Sequence, residues 1–280
     1  MRSLAVLSLK GGVGKTSVVL GLAGAALQRG ARTLVVDLDP QGNATAALEP
    51  GATSATVADV LVDQNRSTLE RAIAPSAWGP GLDVLVGAEA AEGHNRPDPD
   101  AKRLGRLARS LSRLDSLRDP AGDDGVPPYR LVLMDCPPSL GQLTRSALVG
   151  ADRALLVTEP TIFAVTGAQR ALEAVETERE HNPHLQPLGV VVNRVRMRSM
   201  EHSYRIEELR AIFGPLVLSN VLPDRSAVQH AQGACLPVQH WDTPGAREMA
   251  AAFDVLLSRV LRTTRLRRRG SDDPGGSAER

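Results

Sequence analysis

The residues with the clearest chemistry lie near the start of the chain, in KGGVGKTS at positions 10–17. A strand, a glycine-rich turn and a helix together form a phosphate cradle, because turn N–H groups and the helix dipole face the anion. Lys15 is placed to reach the β- and γ-phosphates of a nucleotide, and the Thr16 hydroxyl can ligate Mg²⁺. The predicted nucleotide-binding residues here are Lys10, Gly11, Gly12, Val13, Gly14, Lys15, Thr16 and Ser17.

Lys10 is the unusual residue of this stretch. A phosphate loop usually has a small or neutral residue there, and it has a glycine five residues before Gly14, where this chain has Leu9. The glycines and Lys15 suffice to hold one nucleotide within one chain. Lys10 is therefore either a solvent-exposed loop lysine or a cation that serves another site.

Acidic residues end two further apolar runs. Asp37 and Asp39 close the run that starts at Val35, and Asp135 follows four apolar residues. Ligands of open parallel sheets bind beyond the carboxyl ends of the strands, so these acids are expected to converge near the phosphates. Burying a carboxylate at the end of a strand costs free energy unless the group has a partner, which favours a functional role for these acids. The alternative for each is that it caps a loop. The predicted metal ligands at this point are Thr16 and Asp135, and Asp37 is a further acid at the same edge.

The elements that must position these residues alternate between strands and helices. Several apolar runs lack a polar–apolar alternation, as strands buried on both faces do. Strand–helix alternation predicts an α/β fold with a doubly wound, mostly parallel sheet flanked by helices. The predicted strands are 4–9, 33–39, 82–87, 130–136, 153–159, 188–195 and 215–223.

The composition of the chain limits the kinds of function that it can have. The 280 residues include 42% hydrophobic but only 2% aromatic residues, and the net charge is +1, so only a local patch could attract nucleic acid. Two cysteines, Cys136 and Cys235, indicate reduced thiols rather than a disulfide framework. The sequence has no secretory signal and no apolar stretch of the roughly 20 residues that span a bilayer. We therefore expect a cytoplasmic protein.

KGGVGKTS resembles the deviant Walker A loop of the ParA/MinD family of P-loop ATPases, and Lys10 matches the family's signature lysine. Family members dimerise around two ATP molecules. The resemblance thus implies a homodimer that uses ATP and Mg²⁺, in which Lys10 reaches the phosphates bound by the other subunit. An added cation stabilises the charge that develops in phosphoryl transfer.

Two further motifs, DLDPQGN at 37–43 and DCPPSLG at 135–141, are also similar to this family. The resemblance implies that Asp39 positions or activates the attacking water, while Asp37 lies nearer the Mg²⁺ shell and Asp135 holds the ion. The catalytic residues implied are Lys10, Lys15 and Asp39. Free carboxyl groups have pKa values near ~4 and are weak bases, so slow hydrolysis is expected.

Three residues are weaker matches to the family's adenine site. Asn193 follows one predicted strand, and Pro223 and Asp224 follow another. In related proteins an amide reads the purine edge and a proline packs on it. An ordinary turn residue is the alternative for each.

The resemblance covers Leu4 to about Arg262 and implies chromosome or plasmid partition, or cargo positioning. The first predicted strand begins almost at Met1, as in small ParA proteins. These bind DNA non-specifically as ATP dimers on the nucleoid, and a ParB-like centromere-binding or cargo-adaptor protein stimulates hydrolysis.

Ala227 stands where the family often has arginine, so a solvated basic face is the alternative to DNA binding. The predicted DNA-binding residues are Arg194, Arg196, Arg198, Arg205 and Arg225.

The C-terminal region carries the alternative function. Apolar residues from Met249 to Leu261 recur at helical spacing, and RLRRR follows at 265–269. MinD-like relatives bind membranes through such a helix, whereas packing on the sheet would leave only the arginines for DNA or lipid. We expect an ATPase domain over 1–262 and a basic, then flexible, tail over 263–280. The positions of Cys136 and Cys235 argue against an iron–sulfur enzyme.

Overall fold

The computed structural model describes residues 1–97, 99–114 and 128–262, so the predicted tail at 263–280 lies outside the described residues. Seven strands occur within these ranges. They are β1 Arg2–Leu7, β2 Thr33–Asp37, β3 Ile73–Pro75, β4 Leu82–Leu85, β5 Leu131–Asp135, β6 Arg153–Thr158 and β7 Gln186–Val192.

Ten α-helices connect or follow these strands in the described parts of the chain. They are α1 Lys15–Gln28, α2 Asn43–Leu48, α3 Val57–Val62, α4 Arg66–Ala72, α5 Ala101–Leu111, α6 Gln142–Gly150, α7 Ala164–Glu178, α8 Met200–Phe213, α9 Ser226–Gly233 and α10 Pro244–Arg262.

The strands form one sheet in the order β3-β4-β2-β5-β1-β6-β7. Every neighbouring pair is parallel except β3 with β4. The predicted doubly wound, mostly parallel sheet is therefore confirmed. Asp135 at the end of β5 lies opposite Asp37 on β2 and Val6 on β1. The register thus brings the loops after β1, β2 and β5 to one edge of the sheet.

Apolar side chains fill both faces of the sheet. Along β1, Ala5 and Leu7 belong to one core layer, and Leu4 and Val6 belong to the other. Successive residues of a strand point to opposite faces, so a strand with helices on both sides must be apolar throughout. This burial explains why β1 has no polar–apolar alternation.

The last helix packs inside one of these layers. Met249, Phe253 and Leu257 of α10 are buried in the same cluster as α1. The Phe253 ring packs so closely on α1 that a Cβ on Gly21 would lie 2.3 Å from it. The apolar face predicted at the C-terminus is therefore part of the core.

One predicted strand is wrong. Residues 215–223 contain a short 3₁₀ helix at Gly214–Leu216 and only two isolated bridges, Val190 to Val217 and Val195 to Pro223. The segment meets β7 at Val190 and Val192 and meets Val195 beyond the end of β7, but it forms no continuous ladder, although its apolar run resembles a buried strand. The predictions also missed β3, which has three residues and ends in Pro75. An antiparallel edge strand of this length has no periodicity to detect.

Candidate functional site

The loop between β1 and α1 is an open cradle. Gly12 and Gly14 have φ angles of 79° and 84°, in the left-handed region that favours glycine. A Cβ on Gly14 would lie 2.3 Å from the Asn193 amide nitrogen, whereas a Cβ on Gly11 or Gly12 would meet no atom within 4 Å. Position 14 therefore requires glycine, both for its φ angle and because a side chain there would clash with Asn193. The absence of side chains at Gly11 and Gly12 leaves space for a ligand.

Lys15 lies at the floor of this cradle between two carboxylates. Its Nζ is 3.3 Å from Asp135 Oδ1 and 3.7 Å from Asp39 Oδ2. Thr16 Oγ1 donates to the other oxygen of Asp135 at 2.7 Å. The side chains of Lys15 and Asp135 are 8% and 0% exposed. The predicted lysine, hydroxyl and acids are thus brought together at the end of β5.

Burial and charge act in opposite directions on this cluster. Burial lowers the pKa of Lys15, but attraction by Asp135 and Asp39 outweighs it and leaves the pKa above its ordinary value. Lys15 is therefore a cation at neutral pH. Burial also raises the pKa of Asp135, and Lys15 and the Thr16 hydroxyl oppose that shift. The acid is held in a site where a further cation would be favourable.

Asp37 uses its carboxylate within the chain. Oδ1 accepts from the Asp39 N–H at 3.2 Å, and Oδ2 accepts from the Thr45 N–H and hydroxyl at 2.8 Å each. Burial, followed by repulsion from Asp135, raises the pKa of Asp37 to about 7. Asp37 ties the loop that carries Asp39 to the start of α2. It does not line the cleft, and its predicted metal-binding role stays a prediction.

An open cleft of about 530 Å³ lies above these groups. Seven consecutive residues, 10–16, line this cleft together with Asp39. The Gln41 N–H donates to Asp39 Oδ1 at 3.1 Å and holds that carboxylate in place. The cleft therefore combines an anion cradle with an acid placed to contact a water molecule. Its remaining lining residues are Asn43, Pro138 and Arg194.

Lys10 lies at the mouth of the cleft. Its side chain is 51% exposed, and its Nζ is 3.8 Å from Glu159 Oε2. The hydroxyl of Ser8 accepts from the Lys10 N–H at 3.3 Å and fixes the backbone there. The backbone of Lys10 is thus fixed, while the ammonium group at the end of its side chain is exposed.

A family model described as an AAA domain matches residues 1–187. The chromosome partitioning protein ParA of Caulobacter vibrioides is 33% identical over 253 residues, which cover 89% of this chain and 91% of that protein. The chain belongs to the ParA/MinD family of P-loop ATPases. The family resemblance drawn from KGGVGKTS is thereby confirmed.

Two further proteins extend the similarity. The chromosome-partitioning ATPase Soj of Thermus thermophilus is 31% identical over 263 residues, covering 93% of this chain and 97% of Soj. The structure of cobyrinic acid a,c-diamide synthase from Mycobacterium smegmatis with bound ATP analog and magnesium is 26% identical. Its TM-score is 0.71, and the match covers 92% of this chain and 94% of that one. The ParA/MinD similarity therefore spans nearly the whole described fold.

In this ParA/MinD-family chain, Asn193 reaches the phosphate loop and Arg194 does so too. Asn193 Nδ2 donates to Val13 O at 2.8 Å, while Arg194 Nη1 donates to Gly12 O at 2.6 Å. Arg194 was predicted to bind DNA, and the sequence reasoning missed its place at the cleft. The signal was available, because Arg194 follows the end of β7 at the same sheet edge as the acids. Glu159, Asn43 and Pro138 were also missed.

Three other predicted residues do not line the cleft. The Ser17 hydroxyl accepts from Gln232 Nε2 at 3.0 Å on the far side of α1's first turn. Pro223 forms the bridge to Val195, and Asp224 Oδ2 accepts from Arg196 Nε at 3.0 Å. Their nucleotide-binding roles stay predictions.

The remaining predicted DNA-binding arginines differ in how far their charges are neutralised. Arg205 pairs with Glu201 at 2.7 Å and Glu208 at 3.0 Å and is 16% exposed. Arg225 pairs with Glu248 at 2.6 Å. The Arg196 side chain is 73% exposed beside Asp224, and Arg198 is exposed with no ion-pair partner in the described residues. Arg196 and Arg198 are therefore the two best placed to meet a phosphate backbone.

In the ranges that the structure describes, no helix is both long and apolar enough to cross a membrane.

Proposed function

We propose that this protein is an ATP-dependent, dimerising ATPase that binds DNA non-specifically and drives partition of a chromosome, plasmid or other cargo. The observation that carries this proposal is the glycine cradle with Lys15 at its floor, placed between Asp135 and Asp39. The ParA and Soj relatives support partition as the process. Residues 1–262 would form the ATPase domain.

The residues present fit Mg²⁺ with ATP. Mg²⁺ takes one or two protein oxygen ligands and fills its shell with phosphate oxygens and water. Asp135 and Thr16 offer these ligands at the cleft floor, where their oxygens are 2.7 Å apart. The described residues contain no group of three or more His, Cys, Asp or Glu arranged to hold a metal without such help. Bound Mg²⁺ would neutralise charge on the phosphates, and Lys15 would contact their β- and γ-oxygens.

Asp39 is proposed to orient the attacking water. Its carboxylate lines the cleft 3.7 Å from Lys15 Nζ and is held by the Gln41 N–H. A carboxylate that takes a proton from water at neutral pH is a weak general base. Slow hydrolysis follows, which suits a switch that waits for a partner protein.

Lys10 is proposed to complete the site of the other subunit in an ATP-bound homodimer. Its exposed ammonium supports this role, and within the described residues its one ion pair is the 3.8 Å contact with Glu159. An exposed ion pair at this distance contributes at most about 1 kcal/mol, so little opposes its movement to a partner's phosphates. Hydrolysis would then depend on dimerisation.

Arg196 and Arg198 are proposed to contact DNA phosphates, which supports a cytoplasmic, nucleoid-associated location. A ParB-like or cargo-adaptor protein would stimulate hydrolysis and release the dimer. The MinD-like alternative requires a membrane-binding C-terminal helix. The apolar residues Met249, Phe253 and Leu257 of α10 are buried in the core, so they are not available to a bilayer.

The test is ATP turnover by the full chain with and without duplex DNA. We expect slow turnover with Mg²⁺ and its loss in Lys15→Ala. Sedimentation with duplex DNA or with anionic liposomes, each with ATP, separates the two locations. Absence of ATP binding at millimolar nucleotide would overturn the proposal, and sedimentation with liposomes alone would favour the membrane alternative.

A further inference from the structure

Two consecutive residues after β7 hold two consecutive carbonyls of the phosphate loop. Asn193 Nδ2 donates to Val13 O and Arg194 Nη1 donates to Gly12 O. In a trans peptide the N–H points opposite to the C=O of the same unit. The N–H groups of Val13 and Gly14 therefore point away from the side chains that hold these carbonyls. This arrangement fixes the direction of the donors that cradle an anion.

Arg194 is held in this position by its backbone and by a second acceptor. Its φ of 55° lies in the left-handed region, where few residues with a side chain are found. Nη1 also donates to Glu159 Oε1 at 2.9 Å. The guanidinium lines the cleft, and its Nε and Nη2 make no hydrogen bond to the residues that the structure describes. Two donor nitrogens thus remain for a ligand at a wall of the phosphate site.

Glu159 contacts two cations unequally. Its Oε1 accepts from Arg194 at 2.9 Å, whereas its Oε2 is 3.8 Å from the half-exposed ammonium of Lys10. A charge-assisted hydrogen bond is shorter and stronger than an exposed ion pair at this distance. Glu159 therefore orients Arg194 more firmly than it restrains Lys10.

We propose that Arg194 is a phosphate-binding residue of the nucleotide site and that Glu159 is its positioning residue. Nη1 orients the Gly12–Val13 peptide, and the free nitrogens bind a phosphate oxygen of the nucleotide within the same chain. A planar guanidinium suits this task because it can hold a backbone acceptor and a phosphate at once. This inference rests on the proposed ATP site, and it removes Arg194 from the DNA-binding set.

The direct test is the equilibrium affinity of the full chain for Mg-ATP, measured by calorimetry. Arg194→Ala should raise Kd about tenfold, the effect of one lost charge-assisted hydrogen bond, and Arg194→Lys should recover part of it. Arg210→Ala is the matched control, since Arg210 is similarly exposed (40% against 45%) and pairs with Glu207 at 2.8 Å. The control should keep the wild-type Kd.

Glu159 variants separate positioning from simple charge. On charge alone, removing a carboxylate beside a phosphate site strengthens ATP binding. Positioning predicts the opposite: Glu159→Ala should raise Kd several-fold, because Arg194 loses one of its two acceptors. Glu159→Gln keeps an amide oxygen that can accept from Nη1, so it should bind ATP about as well as the wild type.

The outcomes distinguish this inference from the proposed function. If the wild type fails to bind Mg-ATP, the proposed function itself is wrong. If the wild type binds and Arg194→Ala binds equally well, only the role of Arg194 is overturned. Tighter binding by Glu159→Ala would overturn the positioning role of Glu159. Thermal melting of each variant is the control that shows whether a raised Kd comes from unfolding.

Discussion

Lys15 and Asp135 form a buried ion pair at the floor of the cleft, with Nζ 3.3 Å from Oδ1. One residue begins α1 and the other ends β5, so the pair joins the phosphate loop to the neighbouring strand. Removing one partner of a buried pair leaves an uncompensated charge and costs several kcal/mol. The cation that would meet the phosphates is thus fixed before any nucleotide binds.

Lys10→Ala should separate nucleotide binding from hydrolysis. Because Lys10 is surplus to the cradle of its own chain and half exposed, Mg-ATP affinity should change less than about threefold. Turnover per subunit should rise with protein concentration in the wild type and stay at a low level in the variant. Turnover that is equal in both proteins at every concentration would contradict a role for Lys10 in the partner's site.

Asp37 predicts a specific pH dependence of stability. The folded protein raises its pKa from 3.8 to about 7, so it keeps a proton that the unfolded chain releases. The stability contributed by this proton is full below about pH 4 and is lost as the pH rises to 7. The shift corresponds to a change on the order of 4 kcal/mol in unfolding free energy.

Urea unfolding between pH 4.5 and 7.5 measures this contribution without added Mg²⁺ or nucleotide. Asp37→Asn cannot titrate, so its unfolding free energy should fall less than that of the wild type over this range. Asp242→Asn is the control, since that side chain is 85% exposed. Parallel curves for the wild type and Asp37→Asn would show that Asp37 does not titrate in this window.

Two helical glycines should respond oppositely to alanine. A Cβ on Gly21 in α1 would lie 2.3 Å from the Phe253 ring, whereas a Cβ on Gly167 in α7 meets no atom within 4 Å. Gly21→Ala should destabilise the fold by about 1–3 kcal/mol through overpacking. Gly167→Ala should stabilise it by up to about 1 kcal/mol, because alanine favours a helix. Equal effects in denaturant unfolding would contradict the packing of α10 on α1.

Charge reversal tests the proposed DNA face. Arg196→Glu with Arg198→Glu should weaken binding of the ATP-bound protein to duplex DNA, most clearly at low salt, and should make its salt dependence shallower by about one unit of slope per lost contact. Arg179→Glu on α7 is the control, since Arg179 is exposed and pairs with Glu176. If the double variant binds DNA as the wild type does, the DNA-binding surface lies elsewhere.

Much of the site can be predicted from the sequence because most of its residues follow the ends of parallel strands. Residues that follow parallel strands meet at one edge of the sheet, so the sequence alone places Lys15, Asp39 and Asp135 together. The same rule applies to Arg194 and Glu159, which follow β7 and β6. They were missed because neither the bond of Arg194 to a loop carbonyl nor the contact of Glu159 with two cations leaves a pattern of residue types.

The strand predicted at 215–223 shows a different limit. Its apolar run predicts that the segment is buried, and Val217 and Leu218 are indeed buried. Burial alone does not distinguish a strand that pairs along a neighbour from a segment that forms only isolated bridges. Pairing depends on the path of the chain, which starts here from Gly214 at a φ of 53°.

Calorimetric titration of Mg-ATP into the wild type and into Lys15→Ala tests the central claim most directly. We expect one ATP per chain for the wild type. We expect a loss of affinity of at least about a hundredfold for Lys15→Ala, since a buried charge that would contact phosphate is removed. Failure of the wild type to bind Mg-ATP at millimolar concentration, or equal affinity in the two proteins, would contradict it.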